Sequence, residues 1–168
     1  AEVSMWATDP TTGVRMRARP DYIRPGLMVD LKTTASGASV EAFALEAGKR
    51  AYHLSAAFYL HVHELIRSEG QQGFDDESRY WAELFGPGDG DPAIRHGGVE
   101  KQAPYLGHGA QLDVEALAAG RDRMDAALRR FADCTAAGSW PGYESDHIPL
   151  VGLRPWHLHT PDDEGDNL

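Results

Sequence analysis

The stretch that most constrains the fold is RPDYIRPGLMVDLKTT, residues 19–34, where a Pro-Gly pair separates two runs of alternating side chains. Alternation with a period of two is typical of half-buried antiparallel strands. A Pro-Gly pair suits the centre of a tight turn. The pattern therefore predicts a β-hairpin, and the register of that hairpin decides which polar side chains meet.

If the turn is centred on the Pro-Gly pair, residues whose numbers add up to 51 face each other. Asp21 then lies opposite Asp30, and Arg19 lies opposite Lys32. Directly opposed side chains are about 5 Å apart at Cβ. A slip of one residue would instead put the two aspartates on opposite faces.

The alternation also assigns the two faces of the second strand of the hairpin. Asp30 and Lys32 share one parity, and we expect them on the polar face that turns toward solvent. The opposite, apolar face is predicted to consist of Leu27, Val29 and Leu31.

Two aspartates at one level of a hairpin need an explanation, because like charges opposed on a sheet are destabilising. A divalent cation between Asp21 and Asp30 would supply one, since Mg²⁺ binds one or two carboxylates and completes its shell with water and phosphate. Such an ion can activate water, and Lys32 can orient that water or neutralise phosphate charge. The alternative is a surface hairpin whose charges pair as diagonal salt bridges, because D-x-K alone is a common pattern.

The rest of the chain predicts an α+β fold in the order β-β-β-α-β-β-α. An apolar stripe predicts one long helix from its N-cap Ser39 to about Arg67. Residues 113–137 predict a second helix, which Asp113 caps and Gly138 ends. Residues 69–96 are predicted to be mostly loop with a helical turn at 78–85, and residues 94–112 to form two short strands.

Length and composition bound the class of protein. The 168 residues are enough for one domain with a core, and the single cysteine, Cys134, excludes a disulfide framework within the chain. No apolar run approaches the ~20 residues that span a bilayer, and the first residues lack a signal peptide pattern, so a cytoplasmic location is expected. The net charge of -10 argues against a protein that coats nucleic acid through a general basic field. We expect a domain over residues 1–145 and an irregular acidic tail over 146–168.

The combination of R-P-D, D-x-K-T-T and a helix with Y-H-x-x-x-A-x-Y resembles the PD-(D/E)XK nuclease superfamily. It resembles more closely the nuclease domain of RecE-type exonucleases (exonuclease VIII) and related phage proteins. The resemblance begins at AEVSMWATDPTTG, continues through VEKQAPY and ends near WPGY, so it covers most of the chain. It implies a restriction-endonuclease-like core, a central mixed sheet with an antiparallel β-meander flanked by helices. The family has a helical segment before its first strand, whereas this sequence begins at the strand. The expectation is either the C-terminal portion of a longer domain or a domain without that segment.

The resemblance implies roles for individual residues in the hairpin. Asp21 and Asp30 match the family's acidic metal ligands, and Lys32 matches its catalytic lysine. The carbonyl of Leu31 would be a backbone metal ligand. Glu2 matches the glutamate that opens the family's first strand, and is a further candidate for the metal.

Two further groups of residues are candidates for the catalytic and DNA-binding surface. Tyr59 matches the tyrosine of the family's helix motif Q-x-x-x-Y, and Ser55 stands one helical turn away where the motif has glutamine. An alternating basic stripe, well suited to phosphates, is a candidate for DNA binding or, alternatively, a solvated strand face. It consists of Arg15, Arg17 and Arg19.

The function that the resemblance implies is Mg²⁺-dependent hydrolysis of double-stranded DNA from an end, 5′ to 3′, in recombination or phage DNA processing, with Mn²⁺ as a substitute ion. The implied partners are double-stranded DNA ends, a single-strand annealing protein and further copies of the chain, and no membrane. The alternative is a catalytically inactive module of the same fold that binds nucleic acid or protein. Ser55 and the lacking helical segment favour that alternative.

Overall fold

The computed structural model of the protein describes residues 2–68 and 92–142, together with residues 148, 150–154 and 158. The helical turn predicted at 78–85 and most of the predicted tail lie outside the described residues, so the proposed division into domain and tail stays a prediction. The elements in chain order are β1 (Met5–Thr8), β2 (Arg15–Ala18), β3 (Tyr22–Arg24), β4 (Leu27–Thr34), α1 (Val40–Lys49), α2 (Tyr52–Ser68), β5 (Ala93–Glu100), β6 (Gly107–Ala110) and α3 (Val114–Ala137).

The strands form two sheets. β1 and β2 make a two-stranded sheet, and the other strands make a four-stranded sheet in the order β3-β4-β5-β6. β4 and β5 are parallel, whereas the two outer pairs are antiparallel. Parallel neighbours require a crossover connection, and α1 and α2 lie in it. The predicted α+β class with a mixed sheet and flanking helices is confirmed.

The predicted register of the β3–β4 hairpin is confirmed. Tyr22 pairs with Val29 and Ile23 pairs with Met28, so the residue numbers add up to 51. The alternation that carries the arginines and Asp21 predicts one continuous strand, which is wrong because the chain changes sheets at the buried Pro20. The arginine stripe of β2 and Asp21 therefore do not lie on one continuous strand.

The prediction for the faces of β4 was also wrong. Met28 is 0% exposed and Asp30 is 5% exposed, whereas Leu31 is 59% exposed. The helices of the crossover explain this, because Phe43 of α1 packs against the strand next to β4 on the same side as Asp30. The polar face of the hairpin lies under helices and not in solvent.

The predicted long first helix is divided in two. Ser39 caps α1 as predicted, since its hydroxyl accepts a hydrogen bond from the N–H of Ala42. The helix then ends at Arg50, and Ala51 takes a left-handed conformation with φ 54° before α2 begins. Left-handed residues end helices, but glycine normally occupies that position, so an alanine there is no signal of a break.

The remaining elements agree better with the sequence pattern. Asp113 caps α3 through the N–H of Ala116, and Gly138 ends it with φ 62°. The two short strands predicted in residues 94–112 are present as β5 and β6. The loop predicted up to residue 96 ends earlier, because β5 begins at Ala93. None of the helices in the described part of the chain is long and apolar enough to cross a membrane.

The turn between β1 and β2 fastens the small sheet to α2. The buried carboxylate of Asp9 accepts hydrogen bonds from the N–H of Thr12 at 2.8 Å and from its hydroxyl at 2.6 Å. The other Asp9 oxygen lies 3.1 Å from Nε2 of His61 on α2. These hydrogen bonds satisfy the carboxylate oxygens of the buried Asp9.

The core lies between the sheets and the helices, with Met28, Val62, Ile94 and Met124 among its most buried residues. α2 and α3 approach closely at Gly120, where an added Cβ would lie 2.1 Å from the carbonyl oxygen of His53. No ordinary side chain fits at that distance, so Gly120 sets the spacing of the two helices.

We expect Gly120→Ala to destabilise the protein by about 2 kcal/mol or more, because the helices must separate. The matched control is Gly48→Ala in α1, where a Cβ meets nothing within 4 Å. This control should stabilise the fold by ~0.5–1 kcal/mol through the higher helix propensity of alanine. Urea unfolding measures both, and equal effects of the two substitutions would contradict the tight helix contact.

Burial of His63 in α2 predicts a dependence of stability on pH. Burial lowers the pKa of His63 from its ordinary value of 6.5 to about 4. Between these values the unfolded chain binds a proton that the folded chain does not, so stability is full above pH 6.5 and falls as pH drops toward 4. The loss should be roughly 3 kcal/mol. His63→Gln should flatten this part of the curve of unfolding free energy against pH, and an unchanged slope would contradict the assignment.

Candidate metal and catalytic site

The hairpin brings the two predicted acidic ligands to one level. Continuing the register of β3 and β4 by one residue puts Asp21 opposite Asp30. The carboxylate of Asp21 reaches across to β4, where its Oδ2 accepts a hydrogen bond of 2.6 Å from the N–H of Leu31. This bond fixes Asp21 beside the residue that follows Asp30.

One level further along the hairpin, the backbone carbonyl of Leu31 has no hydrogen-bond partner on the neighbouring strand. Continuing the same register by two residues puts Pro20 opposite Leu31. In an antiparallel ladder the N–H and C=O of one residue point to the same neighbour, so both groups of Leu31 point toward the Pro20 side. Pro20 has no N–H to donate. The Leu31 N–H is taken by Asp21, and its carbonyl has no backbone donor opposite it.

Asp30 is the buried centre of the site. Nζ of Lys32 lies 2.7 Å from Oδ2 of Asp30 in an ion pair, although the two atoms are not aligned as a hydrogen bond. On the other side, Nε2 of His96 lies 3.8 Å from the same oxygen. The parallel register pairs Asp30 with His96 directly.

Three rings surround this charged centre. The imidazole of His96 is stacked on Tyr52 at 5.7 Å and tilted against Phe43 at 5.6 Å. Nζ of Lys32 lies 5.1 Å from the centre of the Tyr52 ring, a cation–π contact. Burial lowers the pKa of His96, against the opposing effect of the Asp30 charge. The ring is therefore neutral at neutral pH.

Tyr59 of α2 lies near the same charges. Burial raises the pKa of the Tyr59 phenol, and the negative charges of Asp30 and Asp21 raise it further, while Lys32 and Arg19 oppose them. The phenol is therefore protonated at neutral pH and is able to donate a hydrogen bond.

Ser55 and Glu2 have partners other than the charged groups around Asp30. The Ser55 hydroxyl donates to the carbonyl of Tyr52 at 3.0 Å, so it is used within α2. Ser55 and Tyr59 both line an apolar groove of about 580 Å³ between β2, α2 and α3. The exposed Glu2 carboxylate lies 3.8 Å from Arg19, while its backbone N–H donates to the carbonyl of Asp21.

The predicted arginine stripe is only partly available as a phosphate-binding surface. Arg15 and Arg17 are exposed on β2 and also line the apolar groove. The guanidinium of Arg17 lies 5.1 Å from the ring centre of Trp6, and Arg19 is paired with Glu2. Arg19 is nearest to the acidic site, since its charge reaches Tyr59.

The residues present fit a hard divalent cation that retains water ligands. Within residues 2–68 and 92–142, no three His, Cys, Asp or Glu side chains form a closed cage. Mg²⁺ does not need one, because two carboxylates with a carbonyl and waters satisfy it. Among the residues that the structure describes, Oδ1 of Asp21 and Oδ1 of Asp30 have no hydrogen-bond partner. These atoms and the Leu31 carbonyl are the donor set.

Sequence reasoning missed His96 and the rings that hold it. His96 lies between Ile94 and Gly98 on the buried face of β5, a position that looks like core. Its closeness to Asp30 depends on a parallel pairing across the two crossover helices, which no local pattern encodes. The one available signal was an ionisable residue in place of an apolar one within an alternating strand.

Comparison with solved structures finds a similarity of fold. The chain resembles a solved structure from Eubacterium rectale, described as a "putative exonuclease", with a TM-score of 0.55 and 13% sequence identity. The match covers 95% of this chain and 56% of that one, so this chain spans little more than half of that protein. At this identity the likeness concerns the fold alone. No family model matches the sequence, and no curated protein matches it.

The geometry of Pro20 gives a testable prediction about metal affinity. Pro20→Ala supplies an N–H opposite Leu31, and a hydrogen bond there would occupy the carbonyl. We expect Mn²⁺ affinity, measured by calorimetry, to fall about threefold to tenfold, as is typical when a group around a ligand is altered. The control is Pro25→Ala in the exposed turn, which loses a similar backbone constraint. Equal affinity in both variants would argue against the carbonyl as a ligand.

Proposed function

We propose that the protein is a Mg²⁺-dependent deoxyribonuclease of the PD-(D/E)XK type. The observation that carries the proposal is the convergence of Asp21 and Asp30 in one hairpin register, with Nζ of Lys32 2.7 Å from Asp30. The similarity of fold to the solved structure described as a "putative exonuclease" supports the same class. A buried carboxylate with a lysine in contact costs desolvation energy, and such groups are frequent at functional sites.

Each residue of the site then has a defined task. Asp21 and Asp30 hold the cation through their free oxygens, with the Leu31 carbonyl. Bound there, the cation would lower the pKa of a water molecule and offset the charge of the reacting phosphate. Lys32 orients the attacking water or neutralises phosphate charge. The protonated phenol of Tyr59 donates a hydrogen bond to phosphate or water.

The remaining parts of the proposal rest on the resemblance of the motifs. They are exonucleolytic action on double-stranded DNA ends in the 5′ to 3′ direction, cooperation with a single-strand annealing protein, self-association, and a cytoplasmic role in recombination or phage DNA processing. Glu2 and the arginines 15, 17 and 19 are proposed to extend the metal and phosphate contacts. Arg19 must leave Glu2 to do so.

A second candidate is an inactive module of the same fold that binds nucleic acid or protein. The observation in its favour is Ser55, whose hydroxyl is bonded to the carbonyl of Tyr52 and not directed at the acidic site. Both candidates keep the hairpin, but only the nuclease requires a bound cation.

The test is cleavage of linear double-stranded DNA, labelled at the 5′ or 3′ end, in Mg²⁺, in Mn²⁺ and in EDTA. We expect metal-dependent cleavage from an end, with a circular duplex resistant. Lys32→Ala and Asp30→Asn should each reduce the rate by about 100-fold or more.

The matched control is Lys49→Ala, which removes a lysine at the exposed end of α1 and should leave the rate unchanged. Cleavage that survives Lys32→Ala would contradict the mechanism. A folded protein that neither cleaves DNA nor binds Mg²⁺ or Mn²⁺ would establish the inactive module instead.

A further inference from the structure

His96 is buried with hydrogen-bonding capacity that no described residue uses. It is 1% exposed, and neither Nδ1 nor Nε2 has a hydrogen-bond partner. Oδ2 of Asp30 is also buried and has no hydrogen-bond partner among the described residues. The two facing atoms, Nε2 and Oδ2, are 3.8 Å apart, which is too far for a hydrogen bond but within reach of a small side-chain shift.

Asp30 needs a second partner if Lys32 takes part in catalysis. Lys32 is the close neighbour of Oδ2, at 2.7 Å. Its ammonium has three donors and can contact a water molecule as well, but a move of Nζ toward a phosphate would lengthen its contact with this oxygen. If Lys32 turned away without replacement, a charged, buried acceptor would be left unsatisfied, which is among the costlier defects in a protein interior.

We infer that His96 is a positioning residue for Asp30, which donates its Nε2–H to Oδ2 and thereby releases Lys32 toward the substrate. The inference rests on the proposed nuclease function and adds a residue that the motifs do not contain. Oδ1 of Asp30 stays available to the cation, while Oδ2 changes partner from an ammonium to an imidazole. Carboxylate ligands are commonly held by such a second hydrogen bond.

The surroundings of His96 are suited to this role. The rings of Phe43 and Tyr52 hold the imidazole from two sides at 5.6 and 5.7 Å. The parallel pairing of Asp30 with His96 keeps the two side chains at one level of the sheet. Tyr52 also contacts Lys32 through its ring face, so one aromatic side chain borders both exchanging partners.

The first test compares His96→Phe, which keeps a ring in the stack but has no N–H, with His96→Gln, which keeps a donor. We expect His96→Phe to weaken Mn²⁺ binding about tenfold, as measured by electron paramagnetic resonance of the free ion. His96→Gln should recover most of that loss. In cleavage assays His96→Phe should lower kcat and leave the KM for DNA unchanged.

The matched control is His63→Phe, because His63 is also a buried histidine but lies outside the acidic site. It should bind Mn²⁺ as the unaltered protein does, and thermal melting of all variants monitors folding. If the folded Phe and Gln variants of His96 both bind Mn²⁺ normally, His96 is a core residue only and the inference is wrong. An equal loss in both variants would contradict the hydrogen bond as well.

A second measurement needs no variant and remains decisive if His96→Phe does not fold. The imidazole ¹⁵N resonances of His96 in the unaltered protein are followed by NMR while Mg²⁺ is added. A new hydrogen bond from Nε2–H should shift that nitrogen, with His63 as internal control. Mg²⁺ binding without any shift at His96 would overturn the inference but leave the nuclease proposal standing. No Mg²⁺ or Mn²⁺ binding at all would overturn both.

Discussion

The hydrogen bond from the Leu31 N–H to the Asp21 carboxylate is the interaction on which the site depends. It pairs the Leu31 N–H with a side chain, and it extends the β3–β4 hairpin by a side-chain contact where the main-chain ladder stops. The same contact holds Asp21 beside the residue that follows Asp30, and Pro20, which has no N–H, leaves the Leu31 carbonyl without a strand partner. A single proline therefore interrupts the sheet at the level where the metal-ligand candidates are gathered.

The buried charge of Asp30 is tolerated because it is paired. Asp30 lies under the crossover helices with Lys32 on one side and His96 on the other. Burial strengthens electrostatic interactions and also makes an unpaired charge costly. If the Asp30 carboxylate exchanges the Lys32 ammonium for the His96 imidazole, Lys32 is released and the buried carboxylate still has a partner. The break between α1 and α2 contributes directly, since it starts α2 at Tyr52, whose ring borders both partners.

Much of the fold and the central part of the site could be predicted from the sequence. The hairpin register, the helix caps at Ser39 and Asp113, and the two weak strands near residues 94–112 follow from local rules of turns, caps and alternation. The burial of the β4 face could not be predicted, because a polar strand face looks the same whether water or a helix covers it. The break at Ala51 was hidden too, since alanine is the strongest helix former and gives no signal of a left-handed conformation.

The sequence by itself determined that Asp21, Asp30 and Lys32 share one face of a hairpin, because turn position and a period of two are local properties. Only the tertiary structure decided what surrounds them. Placing β5 parallel to β4 brings His96 against Asp30 from more than sixty positions away in the chain, and packing of α1 and α2 turns the charged face inward. Contacts of that range depend on how whole elements bury their apolar surfaces, which no short stretch of residues specifies.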